Sequence, residues 1–501
     1  MDILFETLLT VLQPVNILVL LGGVLGGMLI GAIPGMTVTM AVALAVPFTL
    51  TMGPVPSLLM LLGIYCAGIY GGSITAILLN APGTPASAAT SLDGYELAKQ
   101  GKAGKALKMA LLASVYGGLF SIVVLVLVAP QLAEFAPQFG PPEIATLLIF
   151  SLTMVGVLSG ETIVKGLLAA SIGMIIAVIG ADPMLSVDRF TFGAMDLFDG
   201  VPYIPLLIGL FAMAEMLAQA ETAFRQSGQV ISLEGTEKDS NRITRDDMRR
   251  CTVPMIRSGF LGVFIGMLPG LGAGIATFLG YAESKRASKE PERFGKGAIE
   301  GVAASEAANN AVTGATLVPL LALSIPGDVI TAILLGALLI QGVTPGPMIF
   351  LTNIDIVYTV YIALLLANLA VAATAMIAIR PMLTVLKVPK AVLYPVIFMI
   401  CVAGSYAIRN NLFDVFIMFA GGVLGYILRL FGLPLAPLLI AFILTRPFEE
   451  AMRQALIASE GDLSIFVTRP IAAFFVVLTV LAIAFTIRRH MRGNAAIPDA
   501  G

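Results

Sequence analysis

Side chains able to hold a small anion or an inorganic cation collect where apolar segments are interrupted. Residues 71–90 read Gly-Gly-Ser-Ile-Thr-Ala-Ile-Leu-Leu-Asn-Ala-Pro-Gly-Thr-Pro-Ala-Ser-Ala-Ala-Thr. Pro82 and Pro85 flank Gly83 and Thr84, a pattern that ends one helix and starts another. A helix start carries unpaired N–H groups and partial positive charge, which suit a carboxylate, whereas unwound carbonyls suit Na⁺. Ser73, Asn80, Thr84 and Ser87 add hydroxyl and amide groups beside that backbone. A plain proline kink, its hydroxyls bonded back to carbonyls, is the competing reading.

Residues 300–313 carry Ser305, Glu306, Asn309, Asn310 and Thr313 at the head of a segment that becomes apolar up to Leu323. Spacings of three and four place Glu306, Asn309, Asn310 and Thr313 near one helical face. An ionisable group facing a bundle interior acts as cation ligand or proton carrier; the other reading is a helix start at the interface with these groups in water. Asp328 follows Pro326-Gly327 at a helix start, where capping explains a carboxylate and ion coupling is the alternative. Asp93 is expected only to cap the basic segment 94–108, and Glu161 with Lys165 to form an ordinary helical pair.

These groups must be positioned within a bilayer. Of 501 residues 58% are hydrophobic and 12% charged, with mean hydropathy +0.96, against roughly a quarter charged in soluble chains. At roughly 20 residues per span, about ten to twelve membrane segments fit, and long unalternating runs make them helices and not a barrel. The fold class is all-α polytopic membrane protein. Asp2 and Glu6, with no Lys or Arg, precede the first apolar run, so insertion without cleavage is expected. Cys66, Cys251 and Cys401 lie far apart and are expected to pack. The one histidine, His490, lies in the polar tail, which removes histidine-based metal sites and triads. A phosphate-binding Gly-x-x-x-x-Gly-Lys-Ser/Thr loop is absent. No nucleic-acid partner, cofactor or resident metal is expected.

A polar stretch, 226–250, containing Lys238, Arg242, Arg245, Arg249 and Arg250, divides the chain near its middle. Gly27-Met-Leu-Ile-Gly31-Ala-Ile-Pro34-Gly35 is matched by Gly262-Val-Phe-Ile-Gly266-Met-Leu-Pro269-Gly270, and 79–84 is echoed by Leu323-Ser324-Ile325-Pro326-Gly327-Asp328. Basic residues mark cytoplasmic loops. In the first half Lys99, Lys102, Lys105 and Lys108 follow the Pro82 segment, whereas in the second Lys285, Arg286, Lys289, Arg293 and Lys296 precede the Pro326 segment. The repeat is therefore expected to be inverted: 1–222 and 253–468 as repeats, 223–252 as a cytoplasmic linker, and 469–501 as a final helix and tail. The same bias puts the 380–390 turn and the 488–492 tail inside and the acidic 182–199 loop outside. The Pro34 and Pro269 segments are expected to be re-entrant hairpins.

Four Gly/Pro breaks, at Pro34, Pro82, Pro269 and Pro326, are expected to converge on one midplane site. The candidate substrate-binding positions are Gly35, Thr37, Thr39, Ser73, Asn80, Gly83, Thr84, Ser87, Gly270, Asn309, Asn310, Ser324 and Gly327, and the ion-coupling ones Glu306, Thr313 and Asp328. No Lys, Arg or His lies inside the broken segments, so a bound polycarboxylate would be neutralised by helix ends and co-ions, Na⁺ or H⁺. An intramembrane enzyme using Glu306 and Asp328 as an acid/base pair lacks a nucleophile motif.

The 79–90 run, with Asp93-Gly94-Tyr95 and the basic turn after it, resembles the large membrane subunit of tripartite tricarboxylate transporters, the TctA-type family. The resemblance covers about 17–462. It implies a permease of the bacterial inner membrane that imports citrate or a related small carboxylate, driven by Na⁺ or H⁺. It also implies a small membrane subunit (TctB-type) and a periplasmic solute-binding protein (TctC-type) as partners. A standalone carboxylate carrier and a passive anion channel are the rival readings.

Overall fold

The computed structural model describes residues 2–158, 163–222, 241–385 and 390–494. In chain order the helices are α1 Asp2–Val11, α2 Pro14–Ala32, α3 Val38–Thr49, α4 Pro54–Leu79, α5 Ala88–Lys99, α6 Ala103–Phe135, α7 Pro141–Leu158 and α8 Ile163–Ala177. A two-stranded antiparallel ribbon follows, β1 Gly180–Ala181 with β2 Asp188–Arg189. Then come α9 Tyr203–Ile208, α10 Ala214–Thr222, α11 Arg245–Gly266, α12 Gly272–Ala287, α13 Ile299–Ala315, α14 Leu317–Leu323 and α15 Val329–Ile340. The last are α16 Ile349–Thr352, α17 Ile354–Val385, α18 Lys390–Arg409, α19 Leu412–Leu430, α20 Leu435–Ala458, α21 Ile465–Thr468 and α22 Pro470–Asn494. Among the described residues six helices are long and apolar enough to cross a membrane, and further apolar helices are shorter, so the all-α membrane class holds. Glu161, Lys238 and most of the 223–252 linker lie outside the described residues, as do residues 386–389 of the 380–390 turn and the His490 side chain.

The chain gathers into two compact units. The first holds Met1–Ala133, Tyr203–Met267 and Leu271–Tyr426. Apolar helices in lipid gain no hydrophobic energy from each other, so they associate through close packing at small residues. Along α2, Gly23, Gly27 and Gly31 recur every four residues and form one ridge. A Cβ on them would fall 2.4, 2.5 and 2.2 Å from the carbonyl oxygens of Met60, Ile64 and Gly68 on α4. The second half repeats the device: a Cβ at Gly262 on α11 would fall 2.4 Å from the Ala308 carbonyl oxygen on α13. The sequence match is thus a match of backbone contacts.

The breaks also correspond. Asn80 (φ 52°) and Ser324 (φ 60°) end α4 and α14 in the left-handed region. A Cβ at Gly83 would lie 2.0 Å from the Gly31 carbonyl oxygen, and one at Gly327 would lie 2.9 Å from that of Gly266. Each break therefore seats on the glycine ridge of its own half. Thr84 caps the helical turn Pro85–Ser87 and Asp328 caps α15. Helices α4 and α13 run antiparallel, with Tyr65 against Thr316 at one end and Ser73 against Glu306 at the other.

The basic segments of the two halves meet within this unit. Asp93 lies inside α5 and does not cap it: one carboxylate oxygen accepts the N–H groups of Gly295, Gly297 and Ala298, each at 2.8 Å. This corrects the expected capping role, because a loop approaching from the other half supplies three free donors. Gln100 donates to the Lys296 carbonyl at 2.9 Å, and Lys105 pairs with Asp247 at 2.7 Å.

The second unit comprises Glu134–Pro202, Leu268–Gly270 and Ile427–Gly501. Helix α7 packs on α8, α20 and α22, and a Cβ at Gly173 would lie 2.0 Å from the Leu438 carbonyl oxygen. The β ribbon is tied to α20 by charge. Asp182 accepts the N–H groups of Leu185 and Met184 and pairs with Arg453, all at 2.8 Å, while Arg189 reaches Glu449 at 2.8 Å. These backbone donors and Arg453 hold the Asp182 carboxyl at about 2, below its ordinary 3.8.

Gly27→Leu forces side-chain atoms into the α4 backbone and is expected to lose about 3 kcal/mol or more, seen as loss of detergent-extractable monodisperse protein. Gly22→Ala meets open space and leaves the yield intact. Because the folded pKa of Asp182 is depressed, its contribution is present above about pH 4 and fades as pH falls toward 2. The thermal-midpoint gap between wild type and Asp182→Asn, measured by scanning calorimetry, is expected to narrow between about pH 4 and 2; a pH-independent gap refutes this role.

Candidate functional site

Helix α13 is buried along its length, and the Glu306 side chain is fully enclosed. Its carboxylate is met by hydroxyls from three other helices. Ser73 Oγ on α4 donates to Oε1 at 2.6 Å, Thr90 Oγ1 on α5 donates to the same oxygen, and Ser114 Oγ on α6 donates to Oε2 at 3.0 Å. Asn310 Nδ2 donates to the Glu306 carbonyl at 3.1 Å and reaches Oε2 at 3.5 Å. These groups are therefore not wet residues at a helix start. Among the described residues no Lys, Arg or His pairs with this carboxylate.

Two further buried polar groups stand near it. Asn309 is fully buried on the same helix, and among the described residues neither its amide oxygen nor its nitrogen meets the geometry of a hydrogen bond. The Tyr70 hydroxyl on α4 is buried, unpartnered and within electrostatic reach of Glu306. Buried amides and hydroxyls ordinarily find partners, so a cluster of orphans around an uncompensated carboxylate marks a place for a polar or charged guest. The oxygens available, one carboxylate with Ser, Thr and Asn ligands, are hard donors suited to Na⁺ or to carrying a proton.

A second centre lies at the other end of the α4–α13 pair, about 12 Å along α4 by the eight-residue rise from Tyr65 to Ser73. Asp328 accepts Thr331 N–H at 2.8 Å and Tyr65 O–H at 2.9 Å, and the Tyr65 hydroxyl lies 3.3 Å from Thr316 Oγ1. Asp328 is thus a cap that also receives a tyrosine from the other half.

The remaining candidates divide by location. Thr84 Oγ1 and Ser87 Oγ bond each other at 2.8 Å, beside Gly72 and Gly83. Asn80 is exposed, and its type is explained by the left-handed φ it must adopt. Thr313 Oγ1 donates to the Asn310 carbonyl at 2.7 Å and does not join the carboxylate cluster. Ser324 Oγ donates to the Pro345 carbonyl at 2.5 Å. Thr37 caps α3, Thr39 is half-buried there, and Gly35 abuts Gln219. Gly270 belongs to the second unit and packs on Val155. Sequence reasoning missed Ser114, Tyr65 and Tyr70, and did not choose Thr90. Two tyrosines within an apolar run, Gly63-Ile-Tyr65-Cys-Ala-Gly-Ile-Tyr70, were the available signal, since a tyrosine hydroxyl buried in lipid needs a partner.

Removing one donor to a buried carboxylate is expected to cost about 1.5–3 kcal/mol. Ser114→Ala and Tyr65→Phe should each lower the thermal stability of the purified protein accordingly, whereas Asn80→Gly should stay within about 0.5 kcal/mol because glycine accepts the same φ. A large loss in Asn80→Gly would assign its amide a bond not found among the described residues.

Residues 17–440 match the model of the tripartite tricarboxylate transporter TctA family. The chain is 38% identical over 491 residues to an Agrobacterium vitis protein described as an uncharacterized 52.8 kDa protein in the TAR-I ttuC' 3' region, covering 98% of this chain and 96% of that one. A second A. vitis protein, described as an uncharacterized protein in the TAR-II ttuC' 3' region, is 38% identical over 233 residues, 46% of this chain and 96% of its own length. A buried anionic site built from interrupted apolar helices, with a family match across most of the chain, identifies the protein as a membrane component of the tripartite tricarboxylate transporter TctA family.

Proposed function

We propose that this chain is the translocating subunit of a secondary active importer of tricarboxylates or related small carboxylates, with Glu306 as the group that couples a Na⁺ or H⁺ gradient to transport. The observation that carries this reading is a fully buried carboxylate, given three hydroxyls by three helices and no cationic partner among the described residues. An uncompensated charge in that setting costs several kcal/mol, which a bound cation or proton offsets. The substrate's own carboxylates would dock at the Pro85–Ser87 turn, where the Thr84 and Ser87 hydroxyls lie in the break between α4 and α5. An inverted repeat is supported by the antiparallel α4–α13 pair and by the meeting of two basic segments, one after the first break and one before the second. The bacterial inner membrane is the location this reading requires.

Partner dependence belongs to the same proposal. The loop between β2 and α9 exposes Phe192 and Met195, 89% and 92% accessible, on a ribbon pinned by Asp182 and Arg189. Exposed apolar side chains on a fixed loop suit protein contact, and a periplasmic solute-binding protein or a small membrane subunit is the partner the family implies.

Reconstitution with those partners, followed by labelled citrate uptake under imposed Na⁺ or pH gradients, tests the coupling. Wild type is expected to accumulate substrate, and Glu306→Gln to lose gradient-driven accumulation by at least about tenfold while remaining folded. Equal accumulation in both proteins, or equilibration without a gradient, refutes it. Phe192→Asp with Met195→Asp should depress uptake at unchanged membrane level.

A further inference from the structure

A cavity of about 640 Å³ lies between the polar end of α11, the end of α12 and the turn before α13, all within the first unit and apart from the carboxylate site. Five cationic side chains line it, Arg249, Arg250, Arg257, Lys289 and Arg293, against two carboxylates, Glu290 and Glu300. Arg293 lies 2.8 Å from Glu290 and 3.5 Å from Glu300 Oε1, Arg250 lies 4.0 Å from the same oxygen and 3.0 Å from Asp246, and Glu300 Oε2 is buried without a hydrogen-bond partner among the described residues, so the cavity's cations outnumber its carboxylates by five to two. Arg249, Arg257 and Lys289 have no acidic partner among the described residues. The cavity thus keeps an excess of unpaired positive charge. Its wall includes Ser284, buried, whose Oγ has no hydrogen-bond partner among the described residues. A hydroxyl left unpaired beside free cations needs an acceptor, and a phosphate oxygen supplies one.

The setting favours one source of phosphate. Arg249, Val253, Arg257, Phe260 and Phe264 follow one face of α11. Val253, Phe260 and Phe264 on that face are 51%, 60% and 60% exposed, so a bare apolar stripe leads into the cationic cavity. A soluble phosphate compound has no use for the stripe, whereas a phospholipid lays its acyl chains along it. The basic residues place this mouth on the cytoplasmic side by the charge bias of the loops, where anionic headgroups are recognised by such pockets. We infer that this cavity is a binding site for the phosphate headgroup of an anionic phospholipid, held by Arg249, Arg257, Lys289 and the Ser284 hydroxyl.

The test uses the full-length protein purified in neutral detergent. Phosphatidylglycerol, phosphatidylcholine and inorganic pyrophosphate are titrated in turn, with binding read by native mass spectrometry. Wild type should retain phosphatidylglycerol over phosphatidylcholine, and Arg249→Gln/Arg257→Gln/Lys289→Gln should weaken that retention at least about tenfold. Ser284→Ala should weaken it less. A variant with three charges removed elsewhere on the basic face, Lys99→Gln/Lys102→Gln/Lys108→Gln, should bind as wild type does. Equal binding by wild type and the cavity variant, or an equal loss in the Lys99 control, overturns the site. Tighter binding of pyrophosphate, with displacement of the lipid, overturns the lipid headgroup as its occupant.

Discussion

The structure of the first unit depends on backbone touching backbone. With lipid outside and apolar residues inside, neither face of a helix prefers the protein on hydrophobic grounds, and the helices associate only where carbonyls can be approached closely. The glycines of α2 and α11 allow that approach, setting α4 and α13 against their partners with no room for a Cβ. Everything polar in the core follows, because two helices packed so tightly on all sides cannot hydrate the Ser, Thr, Tyr, Asn and carboxyl groups they carry. Those groups must satisfy each other across helices.

They do so incompletely. Glu306 receives three hydroxyls, which orient donors toward its charge without removing it. Asp328 is better served, since a helix start and a tyrosine face it. The unpaired Asn309 amide and Tyr70 hydroxyl lie beside the less compensated of the two carboxylates. Neutral oxygens around one carboxylate are the surroundings on which the proposed coupling of an ion to an anion rests.

The basic face solves a different problem. Loops that cross from one half to the other are fixed by acceptors inside the protein, Asp93 for the turn at 295–298 and Asp247 for Lys105. Charges used in this way do not attract partners. Those left unused, Arg249, Arg257 and Lys289, surround a single cavity at the top of an exposed apolar stripe. The same residue types therefore serve latching in one place and recognition in another, and only their partners distinguish the two.

By itself the sequence determined the solvent, the helical class, the positions of the breaks and the correspondence of the two halves. Each of these is a local property: apolar run length, proline and glycine chemistry, and recurrence of Gly-x-x-x-Gly with Pro-Gly behind it. It also selected Glu306 and Ser73, because an ionisable group in an apolar helix and a Gly-Gly-Ser step stand out against their surroundings. Tertiary structure alone decided which groups meet. Ser114 sits on an unremarkable apolar helix, and Asp93 looks like a cap, until loops and helices more than a hundred residues away arrive beside them. Asn80 shows the converse, chosen for its amide but placed by the φ its backbone needs. Spacing along one helix fixes a face; which other helix covers that face depends on packing between distant segments, and that information is distributed over the whole chain.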